Sequence, residues 1–466
     1  MRPTTEKILQ FGEGNFLRAF IDYFIDEANE KGIMDSGIVA VQPIPQGLGN
    51  MINEQDGIYT VILRGLENKK EVTLKRTVTA LMRCINPYEH YDSYIENVKN
   101  PDLRIIISNT TEAGITYLES DTLEAKPPIC FPAKITQFLY KRYLHFNGDS
   151  AKGFIFVPCE LIDNSGTKLK EIVLKYASDW KLGDDFINWI NSSNYFTNTL
   201  VDRIVTGYPK DEAEKIWQEI GQRDNLITTA EIFHFFVLEG EEGALDLLKE
   251  EFPLQKVSPN IIWTTDATPY KQRKVRLLNG GHTMSVLAAF LYGKETVGEM
   301  MEDPILVEYL RKGMYEEVIP TLSLSKENLV SFADSVLDRF SNPFIKHYLL
   351  SIALNSVSKY KARVLPSLLE YQKQKNELPK IITFSLAALI AFYKGSEAKD
   401  DADILEFFKE VWQENDPKTI AEKVLEKEEF WGQDLNKVSG LTEAITENLE
   451  DIINNGMNNA VKNIVS

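Results

Sequence analysis

Three residues near the middle of the chain carry side chains that could act together on a carbonyl oxygen. Lys274, Asn279 and His282 lie in the segment Lys-Val-Arg-Leu-Leu-Asn-Gly-Gly-His. A helix with 3.6 residues per turn would hold the three side chains within an arc of ~140°. A surface lysine, a glycine turn and a core histidine would produce the same pattern. The cluster therefore predicts a catalytic site only if other features of the chain support it.

A second motif, close to the N-terminus, has the order strand, tight turn and helix. The apolar run at residues 7–11 meets Gly12-Glu13-Gly14, and an amphipathic stretch follows. Gly12 would permit a sharp turn, and Gly14 would let backbone amides approach a pyrophosphate at a helix N-terminus. Leu17 holds the place of the third glycine, so the fingerprint is incomplete. A second apolar run at residues 37–41 follows at βαβ spacing and favours a dinucleotide site over a turn without a ligand.

The end of the second predicted strand bears on the choice of cofactor. NAD-preferring proteins normally carry Asp or Glu there, which accepts hydrogen bonds from the adenosine ribose. Gln42 holds this position. Its amide can bind a hydroxyl but does not repel a 2′-phosphate, so these residues leave both NAD and NADP open.

Composition narrows the class of protein. A chain of 466 residues favours two domains, and its net charge of −18 disfavours nucleic acid and anionic membranes as partners. The three cysteines, Cys84, Cys130 and Cys159, are too widely spaced for a disulfide framework or a zinc motif, which favours a reducing compartment. The five histidines also lack ligand spacing. We expect no metal and no obligate protein partner.

Export signals and membrane spans in the sequence would indicate the compartment of the protein. The first residues show no export signal, and the longest apolar run, at residues 381–393, is too short to span a bilayer. We therefore expect a cytoplasmic protein.

Apolar periodicity changes character along the chain. Before residue 266, short apolar runs at 59–63, 103–107 and 153–157 are typical of buried parallel strands, and polar loops follow the last two. Ligands of open α/β sheets bind at such strand ends. Apolar residues at helical spacing then predict helices at 284–292, 328–337, 343–354, 365–374, 381–392, 404–412 and 441–456. We predict an α/β Rossmann-like N-terminal domain (residues 1–265) followed by an all-α C-terminal domain (residues 266–466).

Taken in order, these blocks resemble the mannitol dehydrogenase family of long-chain polyol dehydrogenases from end to end. The matching segments are the glycine motif at residues 10–20, Ser-Asn-Thr-Thr-Glu-Ala-Gly at 108–114, Val-Asp-Arg-Ile at 201–204, the lysine segment at 274–282, and Asn342-Pro343 followed by Lys359. Several such blocks in one order are far more specific than any one of them.

The resemblance implies a role for each matching residue. Lys274 would be the catalytic acid/base, Asn279 would hold the reacting oxygen and His282 would contact substrate hydroxyls. The candidate substrate-binding residues are Asn164, Ser165, Asp202, Lys359 and Arg363. The candidate cofactor-binding residues are Phe11, Gly12, Gly14, Asn15, Phe16, Gln42, Asn109, Thr110 and Glu112.

Two positions depart from the polyol enzymes of the family. Those enzymes carry an asparagine directly before a glycine in the loop after Cys159, whereas this chain has Asn164-Ser165-Gly166. Either Asn164 or Ser165 would then serve as the second oxygen donor. The polyol enzymes also carry an arginine eight residues before the pocket lysine, where this chain has Ser351.

A sugar-acid substrate fits the second departure, because its carboxylate would need a cation. Four residues could supply one: Lys346, Lys359, Lys361 and Arg363. The spacing does not decide among them.

The resemblance thus implies metal-independent hydride transfer with NAD as cofactor. NADH would reduce a 5-keto-hexonate such as tagaturonate to altronate, reversibly, and a lysine would act as the proton donor. Two enzymatic alternatives are reduction of fructuronate to mannonate and a polyol or polyol-phosphate dehydrogenase. A silent sensor of dinucleotides or sugar acids is a further alternative, although a sensor needs no proton donor.

Overall fold

The computed structural model describes residues 2–111 and 113–466. The chain divides into two compact units. The first comprises Met1–Arg64 and Glu71–Ala267, and the second comprises Gly65–Lys70 and Thr268–Ser466.

Within the described residues, thirteen strands and ten α-helices lie between Glu6 and Arg273, and the last of these helices belongs to the second unit. The strands are β1 (Glu6–Phe11), β2 (Gly37–Val41), β3 (Tyr59–Glu67), β4 (Lys70–Val78), β5 (Leu81–Ile85), β6 (Ile105–Ser108), β7 (Ile155–Pro158), β8 (Tyr195–Phe196), β9 (Asn198–Asp202), β10 (Val205–Gly207), β11 (Thr228–Glu231), β12 (Phe235–Glu239) and β13 (Ile261–Thr264). The helices are α1 (Asn15–Ala19), α2 (Ile21–Glu30), α3 (Gly49–Glu54), α4 (Tyr91–Ile95), α5 (Phe131–His145), α6 (Ser165–Asp179), α7 (Asp184–Ser193), α8 (Ala213–Ile220), α9 (Leu245–Glu251) and α10 (Thr268–Arg273).

The remaining helices follow residue 279. They are α11 (Gly280–Leu291), α12 (Val297–Met301), α13 (Pro304–Lys312), α14 (Lys326–Phe340), α15 (Leu349–Ile352), α16 (Ser356–Arg363), α17 (Leu365–Lys375), α18 (Lys380–Phe392), α19 (Ala402–Val411), α20 (Pro417–Leu425), α21 (Glu428–Trp431), α22 (Leu441–Asn455) and α23 (Met457–Val465). Two π-helical turns, Lys274–Asn279 and Gly313–Val318, also belong to this unit.

The main sheet of the first unit has six parallel strands in the order β5-β2-β1-β6-β7-β8. Phe11 pairs with Val41 on one side and Ser108 on the other, and Ser108 pairs with Pro158. Four strands therefore end level at one edge. The chain order reverses on either side of β1, which is where parallel α/β sheets bind their ligands.

Both faces of this sheet are covered. Ile8 and Ile38 belong to one buried hydrophobic cluster, while their neighbours Leu9 and Val39 belong to another. Alternating side chains point to opposite faces of a strand, so the run of apolar residues supplies two cores at once. This architecture, followed by a helical unit, confirms the predicted fold class.

The predicted strand at residues 59–63 lies outside the main sheet. It forms part of β3, in a second sheet of order β10-β11-β3-β4, where it pairs in parallel with β11. A third sheet has the order β13-β12-β9. Buried apolar runs predict a strand but not the sheet that it joins.

Two apolar helices, α11 and α18, pack together at the centre of the second unit. The buried hydroxyl of Tyr309 donates to the carbonyls of Met284 (3.3 Å) and Ile381 (3.4 Å), which ties the two helices together. The carboxylate of Glu317 accepts the N–H groups of Ile381 and Ile382, each at 2.9 Å, and so satisfies the first turn of α18.

The helix predicted at residues 343–354 is wrong, since the structure is helical there only over α15. The side chain of Asn342 accepts the N–H of Phe344 at 3.0 Å and forms a turn. Tyr348 then makes an antiparallel bridge with Thr296, and the N–H of Leu349 donates to Glu295. These alternative partners satisfy the backbone, so helical spacing of the apolar residues does not prevail.

Candidate functional site

The glycine turn that follows β1 requires a glycine at its first position. Gly12 has φ +117°, and a Cβ on it would lie 2.8 Å from the carbonyl oxygen of Asn109. Leu17, at the place of the third glycine, packs against the same position. A Cβ on Gly14 would meet nothing within 4 Å in the described part of the chain. The turn is thus closed beneath Gly12 and open at Gly14, which fits the approach of a pyrophosphate.

The other residues of the turn are differently placed. The ring of Phe11 is fully buried in the core, so only its backbone borders the turn. Asn15 accepts a hydrogen bond from Arg18 at 2.6 Å and one from Thr228 at 3.3 Å. Phe16 is half-buried and stacks on Phe20. The helix after the turn stops at Ala19, and α2 begins beyond Phe20.

Two buried arginines fix this turn, and the sequence interpretation did not assign either of them a role. Arg18 donates to the carbonyl of Glu13 at 3.1 Å and to that of Leu226. Arg203, from the Val-Asp-Arg-Ile segment, donates to the carbonyl of Ala19 at 2.7 Å. Burial lowers the pKa of Arg203 to about 10, so it remains charged at neutral pH. Arg18 lies in the glycine motif and Arg203 in the Val-Asp-Arg-Ile segment, so their positions in these motifs could have indicated a structural role.

Gln42 is 3% exposed, and its amide is occupied by the loop that it begins. Its Oε1 accepts the N–H of Gly49 at 2.9 Å, and its Nε2 donates to the carbonyls of Ile44 and Pro45. Gln42 therefore shapes the loop after β2. A contact between Gln42 and a ribose stays a prediction.

The loop after β6 is held by a glutamate that the sequence interpretation missed. Glu160, 2% exposed, accepts the N–H of Thr110 at 2.9 Å, its hydroxyl at 3.0 Å and the hydroxyl of Ser108 at 3.1 Å. Burial raises the pKa of Glu160, while these hydrogen bonds lower it. Asn109 donates to the carbonyl of Cys159 at 2.8 Å. The predicted residue Glu112 lies outside the described residues.

The two alternatives for the second oxygen donor have different environments. Ser165 is fully buried, and its hydroxyl donates to the carbonyl of Pro158 at 3.4 Å. Asn164 is exposed, has φ +55° and makes no side-chain cap hydrogen bond with α6. Of these two residues, only Asn164 has an exposed polar side chain. Asp202, at the end of β9, is 8% exposed.

Lys274 and Asn279 open and close a π-helical turn between α10 and α11. The N–H of Gly280 donates to the carbonyl of Val275, five residues earlier. A π-turn spreads five residues over little more than one full turn, so residues five apart are separated by a smaller angle than the ~140° of an α-helix. The π-turn therefore brings Lys274 and Asn279 to one side of the helix, and both are half-buried. Single π-turns inside α-helices are frequent at functional sites.

Arg273 anchors the residue directly before this turn. It is 4% exposed, donates to the side chain of Asn328 and lies 4.2 Å from the ring centre of Phe332, both on α14. The start of the π-turn is thereby fixed against a neighbouring helix.

His282 is held as a neutral imidazole. Its ring stacks on Phe340 with centroids 3.9 Å apart and meets His347 edge-on at 5.2 Å. Its pKa is lowered well below the ordinary value, mainly by burial. The charges of His347, Arg339 and Arg363 lower it further. Its Nδ1 is buried without a hydrogen-bond partner in the described part of the chain. A neutral imidazole offers one donor and one acceptor.

The four cations proposed for a carboxylate do not form one cluster. Lys346 is exposed and lies over Tyr348, and Lys361 points towards the carbonyl of Glu429. Lys359 and Arg363 are one turn apart on α16. Burial is the main cause that lowers the pKa of Lys359, and the charge of Arg363 is the second.

Arg363 borders the π-turn. Its Nη1 lies 3.4 Å from the hydroxyl of Thr283, and that hydroxyl donates to the carbonyl of Asn279 at 3.0 Å. A Cβ on Gly280 would come 3.1 Å from the carbonyl oxygen of Arg363. The half-buried guanidinium has no carboxylate partner among residues 2–111 and 113–466.

Two domain families match most of the chain. Residues 6–248 match the Mannitol dehydrogenase Rossmann domain, and residues 266–453 match the Mannitol dehydrogenase C-terminal domain. This chain belongs to the mannitol dehydrogenase family. As a family member, it is a nicotinamide-dinucleotide-dependent oxidoreductase.

Two relatives are similar along the whole chain. An altronate oxidoreductase of Escherichia coli O139:H28 (strain E24377A / ETEC) is 45% identical over 98% of this chain and 96% of that protein. An altronate oxidoreductase of Enterobacter sp. (strain 638) is 46% identical over 98% of this chain and 97% of that protein.

Two solved structures share the fold. A D-sorbitol dehydrogenase in substrate-free form has a TM-score of 0.79 at 22% identity, over 98% of this chain and 95% of that chain. A Pseudomonas fluorescens mannitol 2-dehydrogenase in ternary complex with NAD and D-mannitol has a TM-score of 0.62 at 21% identity, over 99% and 94%.

The described residues include no helix with the length and hydrophobicity that a bilayer span requires. They also contain no group of three or more His, Cys, Asp or Glu side chains that could hold a metal ion.

Proposed function

We propose that this protein catalyses the reversible NADH-dependent reduction of tagaturonate to altronate, with Lys274 as the acid/base and without a metal. The observation that carries the proposal is the 45–46% identity, over 98% of the chain, to relatives named altronate oxidoreductase. The polyol dehydrogenases of the same fold are only 21–22% identical. A sugar acid is therefore favoured over a polyol.

The side chains of the π-turn suit reduction of a ketone. NADH, when bound, supplies the hydride. The ammonium group of Lys274 donates its proton to the oxygen on which negative charge develops, and the amide of Asn279 donates a hydrogen bond to the same oxygen. In the direction of oxidation the neutral amine takes that proton back. Support comes from the π-turn, which directs Lys274 and Asn279 to one side of the helix.

His282 and Asn164 orient the substrate in this proposal. Burial lowers the pKa of His282 and so favours its neutral form; Nε2 then donates to or accepts from a substrate hydroxyl, while Nδ1 is buried. Asn164 is the preferred second donor of a hydrogen bond to the reacting oxygen, because the hydroxyl of Ser165 already donates to a backbone carbonyl.

Arg363 is the preferred partner of the substrate carboxylate. A guanidinium binds a carboxylate through two parallel hydrogen bonds, and removing such a bond to a charged group costs about 1.5–3 kcal/mol. Three features support the choice: Arg363 is half-buried, it has no carboxylate partner in the described chain, and it connects to Asn279 through Thr283. Lys359 lies one turn away and adds a second positive charge.

The direct test is the absorbance of NADH at 340 nm with tagaturonate, fructuronate, fructose and fructose 6-phosphate as separate substrates. We expect tagaturonate to give the highest kcat/KM and altronate to support the reverse reaction with NAD. Faster reduction of fructuronate would assign the isomeric reaction. A flat trace with all four compounds would overturn the enzymatic proposal in favour of a sensor.

A pair of variants tests the carboxylate contact. Arg363→Gln should lower kcat/KM for tagaturonate by about 10- to 100-fold, from the value of one charge-assisted hydrogen bond. Lys361→Gln, on the same helix but directed towards Glu429, is the matched control and should change it less than about twofold. Equal effects of the two substitutions would refute a specific role for Arg363.

A further inference from the structure

Glu13 occupies the position between the two glycines of the turn, and its side chain is only 6% exposed. Its Oε1 accepts the N–H of Leu48 at 3.1 Å, across the loop that follows β2. A Cβ on Gly47 would lie 2.2 Å from this oxygen and 2.9 Å from Nε2 of Gln42. The carboxylate therefore sits beneath the loop that begins at the end of β2.

This loop is where Rossmann domains read the adenosine ribose, usually with an Asp or Glu at the strand end. Gln42 stands at that strand end, and its amide is consumed by the loop backbone. Residues 42–50, Gln-Pro-Ile-Pro-Gln-Gly-Leu-Gly-Asn, carry no charged side chain. The discriminating charge is thus missing from its usual place, while Glu13 brings a carboxylate to the same loop from the adjacent turn.

We infer that the Glu13 carboxylate makes the dinucleotide site prefer NAD over NADP, by opposing the negative charge of a 2′-phosphate. This deepens the proposed function, on whose use of a nicotinamide dinucleotide it rests. Glu13 is buried, so its charge would be screened less than in water and would act over several ångströms.

The surroundings of Glu13 act on its pKa in opposite directions. Burial raises the pKa of Glu13, while the N–H of Leu48, its own backbone N–H and the charge of Arg18 lower it. Arg18 directs its guanidinium to the carbonyl of Leu226 and the side chain of Asn15, and its Nε to the backbone of Glu13.

One further cation lies near the loop without facing it. Lys134 stacks on Tyr88, whose hydroxyl donates to the carbonyl of Pro43. Lys134 is fully buried, and its amine donates to the carbonyl of Ile129 at 2.5 Å. It therefore offers no accessible partner for a 2′-phosphate.

The test measures dissociation constants for NADH and NADPH by nicotinamide fluorescence, with no sugar acid present. Wild-type protein should bind NADH at least about tenfold more tightly than NADPH. Glu13→Gln keeps an oxygen for the N–H of Leu48 and should shift the ratio of the two constants towards NADPH by about tenfold, which corresponds to about 1.4 kcal/mol. Glu54→Gln, at an exposed position on α3, removes the same charge elsewhere and should leave the ratio unchanged.

Equal binding of NADH and NADPH by the wild-type protein would overturn the inference. So would a ratio of the two dissociation constants that changes less than twofold in Glu13→Gln. Parallel weakening of the binding of both cofactors would indicate a structural role alone and would also overturn it. If Glu13→Gln does not fold, Gln46→Lys tests the same field from the exposed side of the loop and should selectively strengthen NADPH binding. Because no substrate is present, failure of the tagaturonate assay would leave this result standing.

Discussion

Asp22 offers a quantitative test of the packing beneath the glycine turn. It is fully buried on α2, and the hydroxyl of Tyr59 donates to its Oδ2 at 3.0 Å. Its Oδ1 and the Oε1 of the adjacent Gln10 are both buried without a hydrogen-bond partner in the described chain. The Nε2 of Gln10 donates to the carbonyl of Gly12 at 3.1 Å. Protonation of Asp22 would supply a hydrogen that neither of these two acceptor oxygens receives from the rest of the described chain.

Burial raises the pKa of Asp22 from 3.8 to about 7, against the lowering effects of Tyr59, Gln10 and Arg18. A raised carboxyl pKa contributes stability that is present below the unfolded pKa and is lost as pH rises through about 7. At ~1.4 kcal/mol per unit, the shift corresponds to a loss of at most about 4 kcal/mol between acidic pH and pH 8.

Asp22→Asn should remove this loss. The new amide can donate to Gln10, while its oxygen accepts the hydroxyl of Tyr59, at every pH. We expect the unfolding free energy of Asp22→Asn, measured in urea relative to wild type, to rise by about 2–3 kcal/mol between pH 5 and pH 8.

A matched control lies one turn further along the same helix. The carboxylate of Asp26 pairs with Arg76 at 2.7 Å and accepts the N–H of Thr79. Asp26→Asn should therefore destabilise the protein at pH 8. Equal destabilisation by Asp22→Asn at pH 5 and pH 8 would refute the neutral-carboxyl reasoning.

Three other residues give testable outcomes. Gly12→Ala should lower the unfolding free energy by about 2 kcal/mol or more and weaken NADH binding, because its φ is positive and its Cβ would approach Asn109; unchanged binding in a titration would contradict the role of the turn. Glu160→Ala removes the acceptor for two donors of Thr110, so KM for NADH should rise by about tenfold, and an unaltered KM would refute the loop's contribution. His282→Asn should reduce turnover while leaving the shape of the pH–rate profile between pH 6 and 8 unchanged, since His282 is neutral there; loss of a titration step would show otherwise.

Local signals predicted the dinucleotide half of the fold well. The turn at Gly12 and the parallel strands are encoded by neighbouring residues, and the observed β2 spans Gly37–Val41, as predicted. The supporting contacts were harder to predict. Glu160 acts through Thr110, which lies 50 residues earlier in the chain, so no local pattern reveals the pair.

The π-turn at Lys274–Asn279 was not predicted, and the catalytic role of this segment stays a prediction. A π-turn adds one residue to a helical turn, and the glycines that follow Asn279 do not distinguish it from an α-helix. The wrong helix at residues 343–354 arose in a similar way, because the partners of Tyr348 and Leu349 lie some 50 residues earlier, around Thr296. The spacing of apolar residues describes one face of a segment. It carries no information on backbone hydrogen-bond partners that lie far away in the chain.

In the proposed reaction, the amine of Lys274 transfers the proton to and from the substrate oxygen. The most direct measurement is tagaturonate turnover by Lys274→Ala, with NADH binding measured by fluorescence on the same preparation. Loss of a general acid together with its charge should lower kcat by about 10³-fold or more, leave the NADH dissociation constant within about twofold, and allow partial rescue by added alkylamines. Turnover within tenfold of wild type, with no response to amines, would contradict the assignment.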